Sequence, residues 1–169
     1  LTFSEGTEKM KKISASVREG ANAYLRRQYI VVSMFFLVMF IVLGGMAFLG
    51  LLTPFVPFAF LTGGIFSALS GFVGMKIATY ANSRTANGAR ESLNKGLKIA
   101  FSSGTVMGLT VVGLGLLDIS VWYIILKGFF GNDALQISGA MLTFGMGASS
   151  MALFARVGGG IYTKAADVG

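Results

Sequence analysis

The sequence contains neither cysteine nor histidine among its 169 residues. The absence of cysteine excludes disulfides, thiolate metal sites and cysteine nucleophiles. The absence of histidine removes the usual general base and the usual transition-metal ligand. Any metal site made from these residues would therefore use carboxylate oxygens, which bind hard cations such as Mg²⁺ or Ca²⁺.

Charged residues are also scarce. They make up only 12% of the chain, against 54% hydrophobic residues, whereas an ordinary soluble domain has about 25% charged residues. Uncharged apolar runs of about twenty residues are typical of membrane-spanning helices. We therefore predict an all-α, polytopic integral membrane helix bundle that contacts the lipid bilayer. The net charge of +7 includes no long basic block, so we expect no nucleic-acid partner.

Four segments are predicted to cross the membrane, namely residues 30–52, 55–80, 98–126 and 136–169. The shortest is about 34 Å long at the helical rise, which is enough to span the hydrocarbon layer with some tilt. The chain has only two prolines, Pro54 and Pro57, and they mark the turn between the first two spans. Small residues at intervals of three and four in the second and third spans favour close helix packing in lipid.

Three segments connect or precede these spans. Residues 1–29 have helical apolar spacing and many charges, so they are predicted as a cytoplasmic amphipathic segment. This segment either lies on the membrane surface or continues as a helix into the first span, and Thr7 or Ser4 would cap its start. Residues 81–97 are predicted as a cytoplasmic loop with a turn at Asn87–Gly88, and residues 127–135 as an external loop.

The distribution of basic residues predicts the orientation. Thirteen of the fourteen lie at one side of the predicted spans, and only Lys127 lies at the other. Because the cytoplasmic side of membrane proteins is enriched in lysine and arginine, the end of the fourth span should face the cytoplasm. Asp118 is predicted to lie at the outer interface or in water, or else to face protein, because a carboxylate in lipid is costly.

The last sixteen residues, FARVGGGIYTKAADVG, bring three charges to the end of an apolar segment. Arg156, Lys164 and Asp167 fall roughly on one face of a continuing helix. Such a stripe could hold an anion together with a metal ion, or it could be a solvated helix end. The residues alone favour the second interpretation and define no reaction.

The same stretch closely resembles the signature of the membrane-integral, ion-translocating pyrophosphatases. Three other stretches resemble blocks of that family in the same order: EGANAYLRRQY at 19–29, NSRTANGAR at 82–90 and FSSGTVMGLTVVGLGLL at 101–117. The resemblance covers nearly the whole chain.

The resemblance implies a homodimer with sixteen membrane helices per subunit, of which this chain would be an N-terminal fragment covering about the second to fifth. Members hydrolyse cytoplasmic Mg-pyrophosphate to two phosphates and pump H⁺ or Na⁺ outward. By that similarity Lys164 would bind substrate, Asp167 would bind Mg²⁺, and Arg156 would belong to the ion-coupling path. K⁺ is a further candidate cofactor, and the chain contains no residue to which the resemblance gives a catalytic role.

This similarity also implies that the 169 residues alone are inactive, because the family's other carboxylates follow the last glycine. Two alternatives remain at this stage. One is a secondary transporter or channel with a basic cytoplasmic mouth, and the other is a structural membrane subunit.

Overall fold

The computed structural model describes residues 3–131 and 133–168, in which it shows helices and no strand. Four helices follow one another: α1 (Glu8–Phe48), α2 (Val56–Glu91), α3 (Leu93–Phe130) and α4 (Ala134–Val168). Each contains a segment long and apolar enough to cross a membrane. The predicted all-α fold with four spans is confirmed.

Specific backbone contacts explain where several helices begin and end. Thr7, one of the two predicted caps, accepts a hydrogen bond of 3.4 Å from the Met10 N–H at the start of α1. At the other end of α1, Gly50 has a φ of 75°. The Leu51 N–H donates to the Met46 carbonyl at 3.0 Å, as expected for a glycine in the left-handed conformation that ends a helix.

The connecting segments contain more helix than the sequence suggested. Helix α1 runs without a break through the predicted amphipathic segment, so the continuous-helix alternative holds. The stretch 81–97, predicted as a loop, is helical on both sides of Ser92, and the predicted turn at Asn87–Gly88 lies inside α2. The chain turns at Ser92 instead, where the serine Oγ accepts a 3.2 Å hydrogen bond from the Lys95 N–H.

Packing explains why Asn87–Gly88 does not form a turn. A Cβ on Gly88 would lie 2.7 Å from the Ile99 side chain and 3.4 Å from the Gly96 nitrogen. The two glycines therefore allow α2 and α3 to lie very close together beside Ser92. This tertiary contact outweighs the weak helix propensity of Asn-Gly. The positions of the connecting segments relative to the membrane remain predictions.

The chain divides into two compact units, and the first comprises the residues up to Arg27 together with Ser70–Val111. Within it, Glu5 forms ion pairs of 2.9 Å with both Arg18 and Arg84. Arg84 also donates to the Phe3 carbonyl at 2.9 Å, and the Arg18 guanidinium lies 4.9 Å from the centre of the Tyr80 ring. These contacts hold the segment before α1 against α1 and α2. The hydrogen bond from Arg18, with the charge of Arg84, lowers the pKa of Glu5.

The second unit comprises Gln28–Leu69 and the residues from Val112 onward. The described residues of its core include two hydrophobic clusters. One joins α2, α3 and α4 and contains Val56, Ala59, Trp122, Leu126, Ile137 and Ala140. The other joins α1, α2 and α4 and contains Val32, Phe36, Phe60 and Met151. Together they position α4, which carries the charged terminal stripe.

Candidate functional site

Helix α4 is anchored to α2 by small residues. Gly147 faces the Phe60 carbonyl oxygen so closely that an added Cβ would collide with it, and Gly63 faces the Phe144 carbonyl in the same way. Nearby, the Ser67 hydroxyl donates to the Ala148 carbonyl at 3.2 Å. Close backbone approach of this kind is how helices pack tightly in lipid. The first half of α4 is therefore held against its neighbour.

Packing of α4 continues as far as Phe154. Met151 is buried in the second cluster, and the Phe154 ring lies 5.0 Å from the ring of Phe35 on α1. Beyond this point the side chains on α4 become mostly exposed. Arg156, the first of the predicted functional residues, follows two positions after Phe154.

The three charged residues of the stripe all lie on the helical continuation of α4 and are exposed. Along the axis Lys164 lies about 12 Å beyond Arg156, and Asp167 about 16 Å beyond it. In the part of the chain that the structure describes, none of them takes part in an ion pair. The expected helical spacing is present, and the charges are free to contact groups other than one another.

The glycines within the stripe border open space. Gly159 and Gly160 have no side chain or neighbouring backbone within 4 Å of where a Cβ would stand. The Thr163 hydroxyl donates to the Gly159 carbonyl at 2.6 Å within the helix. A helix or a ligand could therefore approach the α4 backbone here more closely than at a residue with a side chain.

Asp167 could be one ligand of a metal site that substrate and water complete, but the described residues do not form a complete metal site by themselves. Among residues 3–131 and 133–168 there is no group of three acidic side chains that could hold a metal ion. Mg²⁺, however, usually binds through one or two carboxylates together with water and substrate phosphates. The exposed carboxylate of Asp167 is suited to be one such ligand.

The comparison with known proteins decides the family. The sequence profile of the inorganic H⁺ pyrophosphatases matches residues 1–169. The chain belongs to this family. Its terminal stripe is thus part of a pyrophosphatase-family sequence, and the chain is an integral membrane protein.

Individual relatives in the family are ion pumps by name. A protein of Bacteroides thetaiotaomicron, provisionally named a K(+)-stimulated pyrophosphate-energized sodium pump, is 62% identical over 174 residues and covers 98% of this chain. A K(+)-insensitive pyrophosphate-energized proton pump of Caldanaerobacter subterraneus subsp. tengcongensis is 42% identical and also covers 98%. The chain spans 24% and 25% of the lengths of these two relatives.

One polar residue in this pyrophosphatase-family chain is buried. The sequence left Asp118 at the outer interface, in water or facing protein, and its exposure of only 2% agrees with the last alternative. Its carboxyl lies beside the Thr62 hydroxyl of α2. The helical distance to Trp122 was visible in the sequence, but no local signal indicated Thr62, which lies on another helix.

Proposed function

We propose that the complete gene product hydrolyses Mg-pyrophosphate to two phosphates and uses the reaction to pump H⁺ or Na⁺ out across the membrane. Family membership over the whole chain supports this proposal, as do the pump names of relatives that share up to 62% identity with it. The single observation that carries the proposal is the stripe on α4. It presents exposed Lys164 and Asp167 on a helix that belongs to a pyrophosphatase family.

Lys164 and Asp167 are proposed to form part of the substrate site. The Lys164 ammonium is a compact positive charge that suits a phosphate oxygen. Asp167 would serve as one ligand of Mg²⁺, which when bound neutralises the charge that develops on the transferred phosphoryl group. Both residues therefore bind and orient the substrate, and neither abstracts a proton from the attacking water.

Arg156 is proposed to act in ion coupling instead of substrate binding. It lies more than two turns before Lys164 on α4, closer to the packed part of the helix and so deeper in the predicted span. A charged residue at such a depth needs a carboxylate partner or a water-filled cavity, and in membrane proteins such residues commonly mark ion pathways.

Several properties of the whole protein belong to the same proposal. The stripe would face the cytoplasm, because thirteen of the fourteen basic residues lie on its side of the predicted spans. K⁺ is proposed as a candidate cofactor because some relatives are named K⁺-stimulated and others K⁺-insensitive. A homodimer is proposed from the family resemblance.

The test is pyrophosphate hydrolysis by the complete gene product in reconstituted membranes. Lys164→Ala and Asp167→Ala should each abolish Mg²⁺-dependent phosphate release while leaving the protein folded. Ile161→Val is the matched control, since Ile161 is exposed on the same part of α4 and carries no charge. Near-normal hydrolysis in both alanine variants would contradict the assignment of Lys164 and Asp167 to the substrate site. Gradient-driven transport without any response to pyrophosphate would favour a secondary transporter.

A further inference from the structure

Asp118 is a buried carboxyl inside a predicted membrane span, and its neighbours come from two helices. It lies on α3, is 2% exposed and faces the hydroxyl of Thr62 on α2. The indole N–H of Trp122, one turn further along α3, donates to the same hydroxyl oxygen at 2.7 Å. All three residues belong to the second compact unit.

The hydrogen bonds around Thr62 leave the carboxyl of Asp118 incompletely satisfied. A threonine hydroxyl has one proton and two acceptor positions, and Trp122 occupies one acceptor position. The proton can go to the Ala59 carbonyl, 3.2 Å away, or to Asp118. In either case Asp118 Oδ2 is sealed from solvent and has no hydrogen-bond donor in the described part of the chain. An ionised carboxylate only accepts hydrogen bonds, so its charge at this oxygen is not compensated by any donor in the described residues.

In the described part of this unit, Asp118 forms no ion pair with a positive side chain. Residues 28–69 contain no charged residue. The ammonium of Lys127 lies instead 5.9 Å from the centre of the Tyr123 ring. Arg156 lies about 24 Å along α4 from Ala140, the residue that packs in the same cluster as Trp122. A buried carboxylate without a counter-charge is strongly unfavourable, most of all in a membrane.

We propose that Asp118 and Thr62 bind one monovalent cation, a proton or an alkali-metal ion, within the membrane-spanning part of this unit. A bound proton would remove the uncompensated charge: the protonated Asp118 would donate to the free acceptor position of Thr62, and Thr62 would donate to the Ala59 carbonyl. An alkali-metal ion would instead be coordinated by the carboxylate and the hydroxyl oxygen. This site is separate from Arg156, Lys164 and Asp167 and does not depend on pyrophosphate hydrolysis.

The test is infrared difference spectroscopy of the complete gene product in liposomes free of Na⁺ and K⁺, with each cation then added. The spectrum of the wild type is compared with that of Asp118→Asn, whose amide can still donate to Thr62 and so preserves the local packing. Asp133→Asn is the control, because Asp133 is an exposed carboxyl of the same chain that caps α4. Thr62→Val removes the hydroxyl while it keeps the carboxyl.

A protonated-carboxyl band that Asp118→Asn removes, that Thr62→Val shifts and that the cations leave unchanged would support proton binding. A carboxylate band of Asp118 that shifts on addition of Na⁺ or K⁺ would support binding of the alkali-metal ion. A carboxylate band that responds neither to acid nor to either cation would overturn the proposal, since a basic group elsewhere in the protein would then hold the charge.

A second measurement covers the case in which Asp118→Asn fails to fold. The wild-type protein is treated with dicyclohexylcarbodiimide, an apolar reagent that adds to protonated carboxyls, and labelled peptides are quantified by mass spectrometry. Proton binding predicts labelling at Asp118 and none at Asp133, and alkali-metal binding predicts that Na⁺ or K⁺ suppresses the label. Equal or absent labelling of the two residues under all cation conditions would contradict the proposal.

Discussion

At the scale of single residues, two glycines set the distance between α2 and α4. A Cβ on Gly147 would collide with the Phe60 carbonyl oxygen, which belongs to the backbone and cannot move aside cheaply. We predict that Gly147→Ala lowers the free energy of unfolding by about 1–3 kcal/mol, the usual cost of overpacking. The thermal unfolding midpoint of the detergent-solubilised gene product measures this change.

Gly145→Ala on the same helix is the matched control. Nothing lies within 4 Å of where its Cβ would stand, so the substitution should be neutral or slightly stabilising through helix propensity. If Gly147→Ala and Gly145→Ala had the same unfolding midpoint, the close contact between α2 and α4 would be wrong.

Contacts between residues on different helices could be predicted from the sequence only in part. The glycine spacing indicated a tightly packed second span, and Gly63 indeed faces α4. The sequence also identified Asp118 as costly in lipid, but it could not show that Thr62 lies beside it. The two residues are far apart in the chain, and their contact depends on how α2 and α3 pack. Local periodicity carries no information about that packing.

At the scale of elements, the turn between α2 and α3 depends on Ser92. Its hydroxyl oxygen caps the first turn of α3 by accepting from the Lys95 N–H at 3.2 Å. We predict that Ser92→Ala destabilises the protein by about 1 kcal/mol, as is typical for loss of an N-terminal cap. Chemical unfolding followed by circular dichroism provides the measurement.

Ser102→Ala provides the comparison within α3. The Ser102 hydroxyl donates to the Lys98 carbonyl at 2.8 Å, a bond inside the helix that competes with the backbone ladder. Its loss should therefore have little effect on stability. An equal effect of both substitutions would argue against a specific capping role for Ser92.

The segment before α1 depends on the ion pairs of Glu5 with Arg18 and Arg84. These arginines lower the pKa of Glu5 below its ordinary value of 4.5. The stabilisation is therefore fully present above that ordinary value and is lost as the pH falls through the lowered pKa. We predict that Glu5→Gln lowers the unfolding midpoint at neutral pH, and that the difference from wild type disappears in acid.

Glu8→Gln is the control for this pH series. Glu8 pairs with Lys11 at 2.7 Å, but its carboxylate is 83% exposed, and exposed ion pairs contribute little to stability. The unfolding midpoint of Glu8→Gln should equal that of the wild type at every pH. A Glu5→Gln difference that persisted unchanged in acid would show that the ion pairs are not its cause.

Elements were predicted well where apolar periodicity was long and poorly where the chain was polar. The four spans each correspond to a helix, and the two prolines lie at the turn before or in the first turn of α2. The stretch 81–97 was wrongly assigned as a loop because polarity and Asn87–Gly88 suggested a turn. In the structure, contacts within the first unit keep this stretch helical, and such contacts do not appear in the sequence pattern.

At the scale of the whole molecule, the charged stripe on α4 bears on the family and the substrate site, whereas the distribution of basic residues bears on the orientation of the chain in the membrane. The family was predictable because FARVGGGIYTKAADVG is specific, and the profile match to residues 1–169 bears it out. The rest of the substrate site was not predictable from these residues, because the described part of the chain contains no group of three acidic side chains that could hold a metal ion. One exposed lysine and one exposed aspartate thus define only one side of the proposed site.

The orientation of the chain is directly measurable because its 169 residues contain no cysteine. Single cysteines are introduced at Asn94, exposed in the first turn of α3, and at Leu135, 83% exposed at the start of α4. Any cysteines elsewhere in the gene product are first replaced. We predict that a membrane-impermeant maleimide labels Leu135→Cys in intact cells and labels Asn94→Cys only after permeabilisation. The two positions lie at opposite ends of α3, so the reverse pattern would place the end of α4 outside. A substrate site on that stripe would then be out of reach of cytoplasmic pyrophosphate.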